Sequence, residues 1–180
     1  MHVINFFGAP GAGKSTAALG LCHRLKRAWI ECEYVSEFAK GQVWSDTAHL
    51  LSRQNWVFAN QEFPLSCLEG KVDFAVSDAP LLQAAFYAPE GYPESFTELV
   101  FDVFRGYQNI NYFINRAHPY SALGRLQTES ESDKIAVTMK AFLREHGIEF
   151  REVQAGDSTP ALIFEQLREQ GLIPPHARVD

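Results

Sequence analysis

The feature that most constrains this chain is a glycine-rich segment near its amino terminus. Residues 8–16 read GAPGAGKST and match the pattern GxxxxGK[ST] in full. Residues 3–7 (VINFF) before the segment predict a buried strand, and the periodic apolar residues of Lys14–Arg27 after it predict a helix. A loop of this composition between a strand and a helix is typical of a phosphate-binding loop.

The residue types in this loop fit the binding of a nucleoside triphosphate. Glycines let the backbone curl so that several N–H groups point at phosphate oxygens, and the helix that follows adds its positive end. Lys14 is expected to reach the terminal phosphates and the Ser15 hydroxyl to hold Mg²⁺. We therefore predict ATP and Mg²⁺ as cofactors, with ATP contacts from Gly8, Gly11, Ala12, Gly13, Lys14, Ser15 and Thr16.

The rest of the chain alternates short apolar runs with longer helical patterns. Four further strands are predicted at residues 32–36, 72–77, 110–114 and 148–153. Helices are predicted at 47–70, 94–107, 133–146 and 159–170, with Pro64 expected to kink or break the first of these. The alternation predicts an α/β layer fold with a mostly parallel sheet. Together with the phosphate loop, it predicts a three-layer P-loop NTPase fold with five strands. Ligands in such folds bind at the carboxyl ends of the strands.

Two carboxylates follow predicted strands. Asp78 comes directly after the strand at 72–77, where it could hold Mg²⁺ or act as general base, although an Asp there could also cap a helix. Glu37 follows the strand at 32–36 and could serve as base or substrate anchor, or remain a surface residue. The sequence alone leaves open which of the two is the base.

A polar, aperiodic stretch at about residues 116–132 predicts a mobile lid. It contains Arg116 and Arg125, nine positions apart, which could converge on the phosphates. Because phosphoryl transfer spreads charge over the transferring group, arginines from a lid could neutralise that charge. We expect a catalytic role for these arginines.

Two further segments carry candidate binding residues. The stretch 53–61 mixes aromatic and amide side chains, so Trp56 or Phe58 could stack on a planar ring whose edge is bound by Arg53, Gln54 or Gln61. Tyr87 is a weaker candidate for the same substrate site. Asp157, in the loop after the fifth predicted strand, is a candidate contact to the nucleotide base. Packing in the core and a simple turn explain these two segments equally well.

Composition narrows the classes of partner. The formal net charge of -6 makes a uniformly basic, DNA-binding surface unexpected, although a local basic cleft stays possible. No apolar run approaches the roughly 18 residues of a membrane helix, and no secretory signal is visible. The three cysteines have no metal-type spacing. We predict a cytoplasmic protein without membrane contact, with one domain over residues 1–173 and a tail at 174–180.

The order of these motifs resembles a known family. The phosphate loop, YVSEF at 34–38, the amide-rich stretch 53–61, VSDAP at 76–80 and the arginine lid together resemble the P-loop kinases of the NadR-like ribosylnicotinamide kinase type, an AAA-domain group. The resemblance covers about residues 2–170. It implies a small-kinase sheet and Mg²⁺-dependent transfer of the ATP γ-phosphate to a nucleoside-like hydroxyl. Similar stand-alone kinases occur in bacteriophages, where some act on nucleotides or on hydroxymethylated pyrimidines in DNA.

These observations favour a kinase that acts on a nucleoside, a nucleotide or a modified pyrimidine. A kinase that acts on hydroxymethylated bases or ends within DNA is an alternative, which the net charge disfavours. A nucleotide-binding ATPase or GTPase switch with a protein partner is another. The lid arginines argue against the switch, and the sequence has no Asn-Lys-x-Asp guanine motif.

Overall fold

The predicted strands form one parallel sheet. The computed structural model describes residues 1–177 and places β1 at His2–Phe7, β2 at Cys32–Val35, β3 at Phe74–Ser77, β4 at Gln108–Asn115 and β5 at Arg151–Gln154. The strand order is β2-β3-β1-β4-β5, and all neighbouring strands are parallel. The predicted three-layer α/β fold is thus confirmed, with a sheet that is wholly parallel.

Seven α-helices connect and cover the strands within the described residues. They are α1 at Lys14–Arg27, α2 at Phe38–Trp44, α3 at Gln54–Ser66, α4 at Gln83–Phe86, α5 at Glu94–Gly106, α6 at Glu129–Glu145 and α7 at Thr159–Glu169. A 3₁₀ helix at Ala48–Ser52 precedes α3.

The central strand β1 contributes to two separate cores because its side chains alternate between the faces of the sheet. Ile4 and Phe6 pack with α1 and α7 on one face. Val3 and Phe7 pack with helices α3 to α6 on the other. Burial on both faces fixes β1 at the centre of the sheet, and with it the position of the loop at its carboxyl end.

Several element boundaries differ from the predictions for local reasons. The predicted helix 47–70 is divided into the 3₁₀ helix and α3, and α3 continues through Pro64, which lies in its last turn. The helices α2 and α4 were not predicted, since α2 has no fully buried residue and α4 is only four residues long. Neither presents a long apolar stripe.

The helix predicted at 133–146 begins earlier, at Glu129. Thr128 caps it in a reciprocal pair, in which the Thr128 Oγ1 accepts from the Glu131 amide at 3.3 Å and the Glu131 carboxylate accepts from the Thr128 amide at 2.7 Å. The first turn is polar, so apolar periodicity did not indicate it. The end of the predicted lid is therefore the first turn of α6.

Part of the predicted tail packs on the core of the α1 and α7 face. Ile173, before it, and Ala177, within it, are both buried there. The last residues of the predicted tail, 178–180, lie outside the described residues. Within residues 1–177 no helix has the length and apolar character that crossing a membrane requires.

The end of α1 holds a residue in an unfavourable backbone conformation. The Trp29 amide donates to the Lys26 carbonyl at 3.1 Å and the Ile30 amide to the Leu25 carbonyl at 3.0 Å, which is the Schellman pattern. This pattern needs a left-handed residue, and Trp29 supplies it with φ 58° while the residue is 93% exposed. Glycine adopts such a φ without steric cost.

We expect Trp29→Gly to raise the free energy of unfolding by about 1 kcal/mol, because it relieves the left-handed strain and removes little packing. Urea denaturation measures the change. Trp29→Ala is the matched control, since it removes the same side chain but keeps the strain, and it should leave stability near that of the wild type. A Trp29→Gly protein no more stable than the alanine variant would contradict the argument.

Candidate active site

The phosphate loop is shaped by close contacts that leave no room for side chains. A Cβ on Gly8, which has φ +145°, would lie 2.7 Å from the Ile114 carbonyl oxygen at the end of β4. A Cβ on Gly11, which has φ +79°, would lie 2.9 Å from the Tyr120 ring of the lid. At the start of α1 the capping residue Gly13 offers no side-chain hydrogen bond to the helix amides. No side-chain cap therefore competes for these amides, and the residues that carry them line the cleft, as a site for phosphate oxygens requires.

Lys14 lies folded back against this loop. Its Nζ donates to the Gly8 carbonyl at 2.9 Å and to the Ala9 carbonyl at 3.2 Å. Burial lowers the pKa of its ammonium group, while the nearby Glu37 and Asp78 carboxylates oppose that fall. The Lys14 ammonium group therefore lies inside the cleft, close to the position that phosphates would occupy when bound by the loop amides.

Ser15 and Asp78 form a pair between α1 and the end of β3. The Ser15 hydroxyl donates to Asp78 Oδ2, and Asp78 is 1% exposed. Its other oxygen, Oδ1, is buried without a hydrogen-bond partner among the described residues. A hydroxyl and a carboxylate with a free oxygen suit Mg²⁺, which prefers oxygen ligands and keeps several waters. The residues present thus fit the magnesium ion that the phosphate loop implies.

Glu37 lies one strand further from the loop, at the junction of β2 and α2. It is the capping residue of α2, but its side chain makes no capping hydrogen bond and instead lines the cleft. Burial raises the pKa of its carboxyl group, and the Lys14 ammonium opposes the rise. Burial also raises the pKa of the Tyr87 phenol, and the Glu37 carboxylate adds to that effect. Glu37 and Tyr87 therefore face the same space.

A cleft of about 380 Å³ extends from the phosphate loop past Glu37 between α2, α3, α4 and the lid. Its walls are mixed: the amide side chains include those of Gln54 and Gln83, and the apolar part includes Val43, Leu51, Val57, Phe58, Ala84 and Tyr87. Gln54 is buried, and its Nε2 donates to the Leu51 carbonyl at 2.6 Å. Such a mixture of apolar surface and a few fixed polar groups is typical of small-molecule sites.

The other residues of the predicted substrate wall are placed differently. Gln61 lines the cleft, but its amide is bonded to the backbone on both sides of Glu37. Arg53 is exposed and does not line the cleft. Trp56 packs edge-on against Phe38, with ring centroids 4.8 Å apart, and does not line the cleft either.

The predicted base loop runs beside the phosphate loop. A Cβ on Gly13 would lie 3.1 Å from the Ala155 Cβ. Asp157 itself is exposed in the turn before α7 and does not line the cleft. Its predicted contact with the nucleotide base stays a prediction.

The two lid arginines have different surroundings. Arg125 lines the cleft, and its Nη1 donates to the carbonyls of Ser121 and, at 3.3 Å, Leu123. Arg116 pairs with both Glu129 and Asp133 in the first two turns of α6, at 2.5 Å each. Of the two lid arginines, only Arg125 therefore offers its charge to the cleft without a carboxylate partner among the described residues.

Tyr120 and Ser132 attach the lid and α6 to the phosphate loop. The guanidinium groups of Arg116 and Arg125 lie 5.3 Å and 5.8 Å from the Tyr120 ring centroid, and that ring covers Gly11. The buried Ser132 hydroxyl donates to the Pro10 carbonyl at 2.7 Å. The lid is thus packed on the loop.

Sequence reasoning missed three polar residues of the site. Lys40 lines the cleft three positions after Glu37, on the helix that was not predicted. Tyr34 lies on β2, where burial and the Asp78 carboxylate raise the pKa of its phenol. Gln83 begins the short helix α4. The alternation of side chains between the two faces of β2 could have indicated Tyr34, whereas no sequence motif marks Lys40 or Gln83.

Comparison with known proteins bears on the fold and on the family of the chain. No curated protein matches the sequence. A solved structure of deoxyadenosine kinase from M. mycoides, with the product dCMP and a flexible dCDP bound, is similar with a TM-score of 0.52 and 14% identity, over 93% of this chain and 99% of that one. This likeness confirms the predicted fold, that of a P-loop nucleoside kinase.

The family comparison covers most of the chain. The model of the AAA domain family matches residues 3–159, which include the phosphate loop, both carboxylates, the lid and all five strands except His2, the first residue of β1. The match supports the AAA-domain part of the predicted resemblance, and it does not bear on the NadR-like type. The chain belongs to the AAA domain family.

Proposed function

We propose that this protein is a kinase that transfers the γ-phosphate of ATP to a hydroxyl group of a nucleoside or nucleotide. The observation that carries the proposal is one continuous cleft with a phosphate loop at one end and a carboxylate beside a mixed apolar and amide pocket at the other. Donor and acceptor bound in such a cleft meet end to end, as in-line transfer requires.

At the donor end, the amides at the start of α1 hold the phosphate chain and Lys14 neutralises the transferring group. Lys14 exchanges its bonds to the Gly8 and Ala9 carbonyls for bonds to phosphate oxygens. Ser15 and Asp78 would hold Mg²⁺, which supplies positive charge to the β- and γ-phosphates when bound. The free Asp78 Oδ1 supports this assignment.

At the acceptor end, Glu37 accepts the proton of the attacking hydroxyl. Asp78 is engaged with Ser15, whereas the Glu37 carboxylate has no hydrogen bond to its own helix and faces the pocket. A base must reach the acceptor hydroxyl directly or through one water. The placement of the two carboxylates therefore favours Glu37 as base and Asp78 as metal residue.

The pocket beyond Glu37 suits a planar ring. Phe58 and Tyr87 provide aromatic surface, and Gln54 and Gln83 provide amides for the polar edge of a base. Enclosure by α2, α3, α4 and the lid favours a free nucleoside or nucleotide, since a base within duplex DNA would have to leave its stack to enter. The M. mycoides kinase that shares this fold holds dCMP and dCDP, which supports the same class of acceptor.

Arg125 completes the site from the lid by contacting the transferring phosphoryl group. Its two carbonyl partners are neutral, so its charge is available. Arg116 acts on the lid indirectly through Glu129 and Asp133.

The three cysteines are free thiols, which supports the proposed cytoplasmic location.

The direct test is an acceptor panel with labelled ATP and Mg²⁺. It contains deoxy- and ribonucleosides, nucleoside monophosphates, nicotinamide riboside and DNA with hydroxymethyluracil. We expect phosphorylated product from at least one free nucleoside or nucleotide, and loss of most of that activity in Glu37→Gln. ATP hydrolysis without any acceptor product would instead favour a switch, and product from the DNA alone would favour the DNA kinase.

We expect Lys14→Ala to lower kcat/KM at least about 100-fold, because a charged contact to the transferring phosphate is worth about 3 kcal/mol. Steady-state kinetics with the best acceptor of the panel measure the loss. Lys26→Ala is the matched control, because Lys26 pairs with Glu33 at the surface, and it should leave the rate unchanged. Near wild-type activity of Lys14→Ala would refute the role given to Lys14.

We expect Arg125→Ala to lower kcat much more than the affinity for ATP, since its contact strengthens as charge develops in the transition state. Arg116→Ala should lower kcat less, because two carboxylates already compensate its charge. Rates and nucleotide binding are measured for both variants. An equal loss of ATP affinity and turnover in Arg125→Ala would assign the residue to ground-state binding.

A further inference from the structure

The polypeptide that carries Glu37 is poorly held by apolar packing. Glu37 lies between the short strand β2 and α2, and α2 has no fully buried residue among its seven. The side chain of Glu37 makes no hydrogen bond that would cap the helix. Apart from the edge-on contact of Phe38 with Trp56, apolar packing, which fixes most helices, therefore contributes little to the position of this carboxylate.

One buried side chain of the neighbouring helix α3 compensates for the weak apolar packing around Glu37. Gln61 is 6% exposed. Its Oε1 accepts from the Phe38 amide at 2.9 Å, and its Nε2 donates to the Ser36 carbonyl at 3.2 Å. A single amide group thus bonds the peptide unit before Glu37 and the peptide unit after it.

Two bonds of this kind restrict the backbone of Glu37 more than any contact of its own side chain. With both flanking peptide planes held, the φ and ψ of Glu37 have little freedom, and its Cα–Cβ bond points in one direction. The carboxamide of Gln61 supplies an acceptor for the N–H and a donor for the C=O on two separate atoms of one planar group. The Phe38 amide is also one of the first N–H groups of α2, which no residue of the helix can satisfy.

We propose that Gln61 is a positioning residue that fixes the Glu37 carboxylate toward the acceptor hydroxyl. The inference rests on the proposed function, in which Glu37 is the base. This positioning role replaces the predicted direct binding of the acceptor by Gln61, because the Gln61 amide already bonds the backbone on both sides of Glu37. Gln61 acts on the reaction through Glu37 alone.

A double-mutant cycle with Gln61→Met and Glu37→Gln tests this. Methionine has a similar length and shape but forms neither hydrogen bond. In the wild-type background we expect Gln61→Met to lower kcat about 10- to 100-fold with little change in the KM for ATP, as a displaced catalytic group does. In the Glu37→Gln background we expect the same change to have little effect, because the base that it positions is already absent.

The control comes from the next residue on the same helix. Asn60 is exposed, and its amide bonds only the Trp56 carbonyl at 2.8 Å among the described residues. Asn60→Met should leave kcat unchanged in both backgrounds. If Gln61→Met does not fold, judged by its melting curve with and without ADP, Gln61→Asn takes its place in the cycle, because its amide is too short to reach both peptide units.

Each outcome of the double-mutant cycle supports or contradicts the positioning role of Gln61. An equal loss of kcat from Gln61→Met in both backgrounds, or no loss in either, would overturn the positioning role while leaving the kinase proposal intact. A Glu37→Gln protein with wild-type turnover would overturn the role of Glu37 as base, and the inference with it. A loss confined to the background with an intact Glu37 supports both.

Discussion

The structure of the site depends on the close approach of Gly8 to the end of β4. With φ +145°, and the Ile114 carbonyl 2.7 Å from where a Cβ would be, Gly8 allows the chain leaving β1 to turn at once toward α1. Burial of β1 on both faces holds the start of this turn, and α1 packs on one of those faces. The amides of the phosphate loop are therefore fixed by the core of the protein, before any ligand contributes.

The strand order then sets the distances of the two carboxylates from this loop. β3 is the direct neighbour of β1, so Asp78 at its end reaches Ser15. β2 is one strand further out, so Glu37 lies beyond Asp78 and faces the pocket. Two acidic residues after two parallel strands thus have different surroundings because of their order in the sheet. This order, which the sequence alone does not reveal, is the basis for proposing Glu37 rather than Asp78 as the base.

The sequence predicted best what depends on local pattern. The phosphate loop, α1 and the five strands follow from glycine spacing and apolar runs, and all of them form, although the strand predicted at 148–153 is observed at Arg151–Gln154. The sequence did not predict contacts between residues that are far apart along the chain. The bonds of Gln61 to residues 36 and 38 span more than twenty positions, and the pairing of Arg116 with Glu129 and Asp133 needs the polar first turns of α6. Exposure of Arg53 and Asp157 likewise follows from tertiary packing.

Rigidity is unevenly distributed around the cleft, and this distribution suits its two ends. The donor end is held by the buried sheet, whereas the acceptor end is bordered by α2 and the lid, which meet where Trp44 packs on Gly124. Trp44, Leu123 and Leu126 are each more than half exposed there, so separating these elements removes little buried surface and costs little free energy. A pocket that must admit a whole nucleoside needs elements that separate easily, as α2 and the lid do. Because α2 is held so loosely, the hydrogen bonds of Gln61 are needed to keep the Glu37 carboxylate in place.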